Sequence, residues 1–229
     1  MAGPPVLLVH GFASSFERNW REPGWVDLLS EAGREVIGLD LLGHGSADKP
    51  HDPAAYDDLE GDVARALPET GTVDAVGFSM GARLLLGVAA SRPERFEHIV
   101  VGGVGNGVLE AGTSSEDIAR AVEGEVDGDS PAIARVFAQF AAGSGNDPKA
   151  LAACMRRQSR ALTREEVGRI ACPVLVVIGD RDFAAPAGDL VAALPDARLV
   201  TLPGTDHFAT PKDFRFLDAA LDFLGAAPV

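Results

Sequence analysis

The sequence predicts an α/β domain: a doubly wound, mostly parallel sheet of about six strands with a helical cap inserted late in the chain. Three observations predict it. Short, almost wholly apolar runs recur along the chain, as strands buried on both faces of a parallel sheet require. Between them lie stretches rich in Ala and Leu with helix-start residues at their heads. Each apolar run ends in a turn carrying Gly, His, Asp or Ser, which places the chemically active residues at one edge of the sheet.

Taken in order, Val6–Val9 is the first strand and runs into His10-Gly11-Phe12-Ala13. A helix is expected over residues 25–32, stopped by Gly33. Residues 35–39 form the next strand, followed by the glycine-punctuated turn Asp40-Leu41-Leu42-Gly43-His44-Gly45-Ser46. Asp52-Pro53 supplies an N-cap and a proline at the first helical position, predicting a helix to about Leu67. Residues 73–77 are a strand, and residues 82–90 a helix. Between them stands Gly77-Phe78-Ser79-Met80-Gly81, a G-x-S-x-G elbow with the strand–turn–helix context the motif needs. The next strand begins at Ile99, and the glycine-rich stretch 102–107 reads as a flexible exit from the sheet. It opens no helix and lacks the G-x-G-x-x-G register of a nucleotide loop.

There the alternation stops. Residues 108–168 read as helices only, with starts at Ser130-Pro131, at Asp147-Pro148 and at the capping box of Thr163 and Glu166. This segment is expected to form the cap, leaving residues 1–107 and 169–229 as the core. Alternation resumes with a strand at 174–178, then Gly179-Asp180-Arg181-Asp182, a helix over 186–194 and a strand at Ala197–Leu202. Pro203-Gly204-Thr205-Asp206-His207-Phe208 follows, and a final helix runs from Thr210-Pro211 to about Leu224.

Composition narrows the class. The 229 residues are 46% hydrophobic, enough for a large core. A formal charge of −14 without a basic run argues against nucleic acid and against anionic membranes as partners. No basic n-region with an apolar h-region opens the chain, and the two cysteines, Cys154 and Cys172, are too few for a disulfide framework. A cytoplasmic protein with reduced thiols is expected, without metal or cofactor. Nothing in the sequence addresses oligomeric state.

A serine hydroxyl needs a base to take its proton, and that base needs an anion to orient it. Of the five histidines, His51 precedes a helix and His98 opens a strand at the far edge, whereas His10, His44 and His207 lie in turns at the edge of Ser79. Asp180 and Asp182 both follow a strand at that edge. The order Ser79, Asp182, His207 is one that supports acyl transfer on an α/β scaffold.

These segments together resemble the α/β-hydrolase family, over nearly all of the chain outside the cap. The resemblance rests on His10-Gly11-Phe12, the Asp40 to Ser46 turn, the elbow, Gly179-Asp180-Arg181-Asp182 and His207-Phe208. It implies that the acid is Asp182, three residues past Gly179, and that the amides of Phe12 and Met80 form an oxyanion hole. It also implies that His44 is architectural and that His10 supports the oxyanion loop. The chain departs from larger members in starting just before the His-Gly strand, where two outer antiparallel strands are expected to be missing, and in its short cap.

The expected activity is cleavage of a small-molecule carboxylic ester or thioester through an acyl-enzyme on Ser79, with His207 as general base. Candidate pocket residues are Phe12, Trp20, Phe137, Phe140, Met155, Phe183 and Phe208. Two alternatives stand beside it. Ser79-Met80-Gly81-Ala82-Arg83 resembles the nucleophile segment of the menaquinone-pathway enzyme that eliminates pyruvate. A triad-dependent lyase or C–C hydrolase would then use Arg83 to hold an anionic substrate, although Phe78 replaces the usual tyrosine. The other is a non-catalytic binding protein on the same fold. Serine at position 79 disfavours a dehalogenase, which needs aspartate there.

Overall fold

A computed structural model describes residues 3–110 and 115–227. Six strands form one parallel sheet in the order β2-β1-β3-β4-β5-β6. They are β1 (Val6–Val9), β2 (Val36–Leu39), β3 (Val73–Phe78), β4 (Phe96–Gly102), β5 (Val174–Gly179) and β6 (Ala197–Leu202). The inner strands β1, β3 and β5 are buried along their whole length, whereas the edge strands β2 and β6 alternate or stay half-open. That difference follows from position: an inner strand of a two-sided sheet sees protein on both faces.

The helices divide over the two faces. On one face α1 (Trp25–Glu31) and the final helix α9 (Phe214–Phe223) pack on Val6, Leu8, Val76 and Val100. Trp25, Trp20 and Phe216 fill this layer, with edge-on ring pairs at 5.1 and 4.9 Å. On the other face α2 (Leu59–Arg65), α3 (Met80–Ser91) and α8 (Gly188–Ala193) cover Leu7, Val9, Ala75 and Val101. The alternation of residues along β1 between these two clusters is the strand period of two. Burial of these side chains, at about 25 cal/mol per Å2 of apolar surface, is the main force holding the layers.

Between β4 and β5 the described residues form only helices: α4 (Ser115–Val122), α5 (Ala132–Ala142), α6 (Pro148–Arg156) and α7 (Arg164–Val167). The α5–α6 loop is tied to the core by three sets of bonds. Arg18 Nη1 donates to Gly143 O at 2.8 Å, the Asn146 amide donates to Ser14 O at 3.1 Å and accepts from Gly45 N at 2.8 Å, and His51 lies 2.8 Å from Asp147.

Several element bounds correct the sequence reading, two of them for one physical reason. The helix expected from Asp52 to about Leu67 is two pieces, a tight turn over Pro53–Tyr56 and then α2, because Asp58 caps afresh by accepting from Gly61 N at 3.0 Å. The last helix is likewise broken: Thr210–Lys212 is a turn, and Asp213 restarts the chain as α9 by accepting from Arg215 N at 3.0 Å. An aspartate that bonds the backbone ahead of it competes with helix continuation. At Ser130-Pro131 the proline itself takes the cap position, and Ser130 Oγ turns back to Asp127. α8 begins at Gly188 rather than Pro186, and β4 at Phe96 rather than Ile99. The capping box at Thr163 and Glu166 is present, as is the stop at Gly33. Among the described residues no helix is long and apolar enough to cross a membrane.

Candidate active site

The chain winds outward in one direction through β1 and β2, then crosses back to β3 and proceeds the other way. The switch lies between β1 and β3, where connections leave in opposite directions and a crevice opens at the carboxyl ends. The residues after those two strands, the loop from His10 and the elbow at Ser79, therefore meet there.

Ser79 sits at φ 52, ψ −113, a conformation sparsely open to any residue with a Cβ. The elbow glycines show why the turn can be so sharp. A Cβ on Gly77 would stand 2.7 Å from Ala82 Cα, and one on Gly81 would stand 2.3 Å from Val9 O. Their absence lets α3 press against β3 and β1. The serine amide donates to Gly102 O at 2.8 Å, which pins the crest of the turn to β4.

The structure brings His207 to this serine, with Nε2 2.9 Å from Ser79 Oγ. Nδ1 of the same ring is 2.9 and 3.0 Å from the two Asp182 carboxylate oxygens. A carboxylate only accepts, so the proton lies on Nδ1 and the Nε2 lone pair faces the serine O–H. Asp182 is buried and also accepts from Ala184 N at 2.8 Å, which fixes its orientation. Asp180 does not reach the histidine: it is exposed and accepts from Gly204 N at 2.7 Å. The His207 ring is flanked by Phe183 and Phe78 at 4.2 and 5.0 Å.

Among the described residues neither the Phe12 nor the Met80 amide donates to a protein acceptor. The loop carrying Phe12 is held on both sides. Gly11 N donates to Asn19 Oδ1 at 2.9 Å, and Leu41 N donates to His10 Nε2 at 3.0 Å. His44 packs edge-on against Phe12 at 5.7 Å, fully buried, and its Nε2 has no partner among the described residues. Burial, with His10 beside it, pushes the His44 pKa down to about 3, so the ring is neutral. The neighbouring Asp40 holds the turn by accepting from Phe16 N and Ser46 N at 2.8 and 2.7 Å.

A narrow cleft of about 40 Å3 opens on Ser79 and His207. Five rings line it: Phe12, Phe78, Phe137, Phe140 and Phe208. Phe137 on α5 lies 5.9 Å from Phe12 and 5.5 Å from Phe208, so the helical segment reaches the serine. The sequence reading did not name the remaining wall residues Ser14, Arg18, Asn19, Pro211 and Lys212. They carry no motif, and their only sequence signal is membership of loops following β1 and β6.

Four candidates are not in the cleft wall, and one of them, Phe183, is exposed against the His207 ring. Arg83 is not in the cleft wall. It lines a separate groove of about 610 Å3 with Tyr56, Glu60 and Arg157, and its guanidinium donates to the carbonyls of Val108 and Arg160. Met155 on α6 is half-buried against the core, and Trp20 is wholly inside it.

A sequence profile of the alpha/beta hydrolase family matches residues 6–220. The chain belongs to that family. Among curated relatives it is 28% identical over 233 residues to the pimeloyl-[acyl-carrier protein] methyl ester esterase of Nitrosomonas europaea, covering 90% of this chain and 89% of that protein. It is 33% identical over 101 residues to the sn-1-specific diacylglycerol lipase ABHD11 of Mus musculus, a stretch that is 43% of this chain and only 32% of that protein. In fold it is similar to the enol-lactonase of Burkholderia xenovorans LB400, with a TM-score of 0.75 at 22% identity over 98% of this chain and 92% of that one. The proteins it is similar to thus include an esterase, a lipase and an enol-lactonase.

Proposed function

We infer that this protein is a serine hydrolase that cleaves a carboxylic ester or thioester. The observation that carries the reading is the continuous relay from Asp182 through His207 to Ser79, with both links at 2.9 Å, on the crest of a strained turn. In the forward step Ser79 Oγ attacks the carbonyl carbon while its proton passes to His207 Nε2. Asp182 stabilises the imidazolium so formed. The oxyanion of the tetrahedral intermediate takes hydrogen bonds from the free amides of Phe12 and Met80, each a donor worth roughly 3–4 kcal/mol of barrier. The bond to the alcohol or thiol breaks as His207 returns the proton to the leaving atom. Water then attacks the acyl carbon by the same route, releasing the acid and regenerating Ser79. Residues 108–168 act as the cap, with Phe137 and Phe140 forming the apolar wall against the acyl group and keeping bulk water from it.

The position of Arg83 removes the observation that favoured a lyase acting on an anion held by that residue. The test is covalent. An alkyl fluorophosphonate should add one phosphonyl group to the Ser79 peptide, none should add to the Ser79→Ala variant, and the unmodified protein should turn over a p-nitrophenyl ester. Labelling at Ser14, Ser15 or Ser46, or labelling of Ser79 without turnover, refutes it.

A further inference from the structure

The wall of the cleft is chemically one-sided. Apart from its five rings and the Ser79–His207 pair, its polar members are Ser14, Arg18, Asn19 and Lys212. No acidic side chain lines it. Asn19 already spends its carbonyl oxygen on Gly11 N, and its amide N–H groups donate to no acceptor among the described residues. Arg18 uses Nη1 on Gly143 O and has no carboxylate within 4.0 Å among the described residues. The Lys212 ammonium has neither an ion-pair partner nor a hydrogen bond among the described residues, and the residue stands exposed at the rim. The two cations come from neighbouring turns, Glu17–Arg21 and Thr210–Lys212, which pack together and are tied by the hydrogen bond that Trp25 Nε1 donates to Pro211 O at 3.0 Å. The site therefore offers donors and positive charge, and little that accepts.

Such a set complements a group that only accepts and carries negative charge. Its setting sharpens the point. A chain of net charge −14 repels anions over most of its surface, so two unpaired cations at the mouth of the cleft create a local attraction against the general field. We propose that the substrate of this enzyme is an ester bearing a carboxylate on one of its two halves, held by Arg18 and Lys212 while the reacting carbonyl lies at Ser79. The rings take the apolar chain between the two ends. The proposal rests on the ester-hydrolase reading and deepens it. It places the anion on residues distinct from Arg83, which faces another groove.

The experiment compares paired substrates of equal shape. On the acyl side these are the mono-p-nitrophenyl ester of glutarate and p-nitrophenyl 5-methylhexanoate. On the alcohol side they are the acetates of 4-hydroxybenzoate and 4-hydroxybenzamide. In one of the two pairs the anionic member should have a kcat/KM higher by about tenfold or more, the scale of one charge-assisted hydrogen bond, and the pair that shows it names the half carrying the charge. Arg18→Gln and Lys212→Gln should each lower that anionic-to-neutral ratio, mainly through KM, and Lys212→Glu should lower it further. Added salt should lower it in the wild type. Arg92→Gln, which removes a charge at the far end of α3, should leave the ratio where it was. Equal turnover within both pairs, or a ratio unmoved by both neutral substitutions, overturns the proposal while leaving the hydrolase reading intact. No turnover of any of the four esters overturns both.

Discussion

Replacing Ser79 with glycine should make the protein more stable than replacing it with alanine, although both delete the same hydroxyl and the same 2.9 Å contact with His207. The difference isolates the backbone. At φ 52, ψ −113 a Cβ collides with its own peptide, whereas glycine finds there the mirror image of an ordinary extended conformation. Strain of this kind is worth about 1–3 kcal/mol. Glycine gives back about 0.5–1 kcal/mol through the greater freedom of the unfolded chain. The middle of each range leaves a net gain over alanine of about 1 kcal/mol. For a chain of this length each degree of melting temperature corresponds to about 0.5 kcal/mol, so Ser79→Gly should melt about 2 °C above Ser79→Ala. Thermal and urea unfolding of the two variants, followed by circular dichroism at one pH, measures it. An alanine variant as stable as the glycine variant, or more so, would refute the claim that the elbow stores strain.

Asp182→Asn should reduce kcat by about 10⁴-fold, because the amide selects the wrong imidazole tautomer, whereas Asp180→Asn, which touches only Gly204 N, should cost little; steady-state kinetics ranks them. Stability should fall as pH drops from about 6.5 toward 3. The unfolded chain binds a proton at His44 in that window, but the folded chain holds that ring neutral by burial, at about 1.4 kcal/mol per pH unit; burial lowers the His10 pKa too and acts in the same direction. Urea midpoints at pH 7.5, 6 and 5 check this. The His44→Gln variant should show a shallower slope, and an unchanged slope would show that protons are taken up elsewhere.

The sheet and the elbow were legible because their signals are local. Apolar runs such as Val174–Gly179 can be buried on both faces only in such a sheet, and Gly77 and Gly81 mark places where a side chain cannot fit. His207 stood out by its place in the turn after the last strand, and the family resemblance singled out Asp182 over Asp180. What could not be read depends on encounters between distant segments. Asp58 and Asp213 can sit inside a helix or cap a new one, and only the surrounding packing decides. Arg83 lies one turn beyond the serine, but its guanidinium finds the carbonyls of Val108 and Arg160, groups whose position depends on how the inserted helices settle. Arg18 and Lys212 are far apart in sequence and meet because two turns pack at one edge.

The pairing of β4 with β5 has a bearing on how such an enzyme changes its substrate over time. These strands are neighbours at Ile99↔Val174 through Gly102↔Val177, yet the chain leaves the sheet between them to build helices α4 to α7. Closing a loop of about 70 residues costs only about 1 kcal/mol more than closing one of about 17, as between β5 and β6, because the entropy grows with the logarithm of length. The ladder itself is made by backbone groups of β4 and β5. Helices between Gly102 and Val174 can therefore be lengthened, trimmed or exchanged while that pairing is kept, and variation in the rings of the cleft wall can accumulate there while the spacing from Asp182 to Ser79 stays as it is.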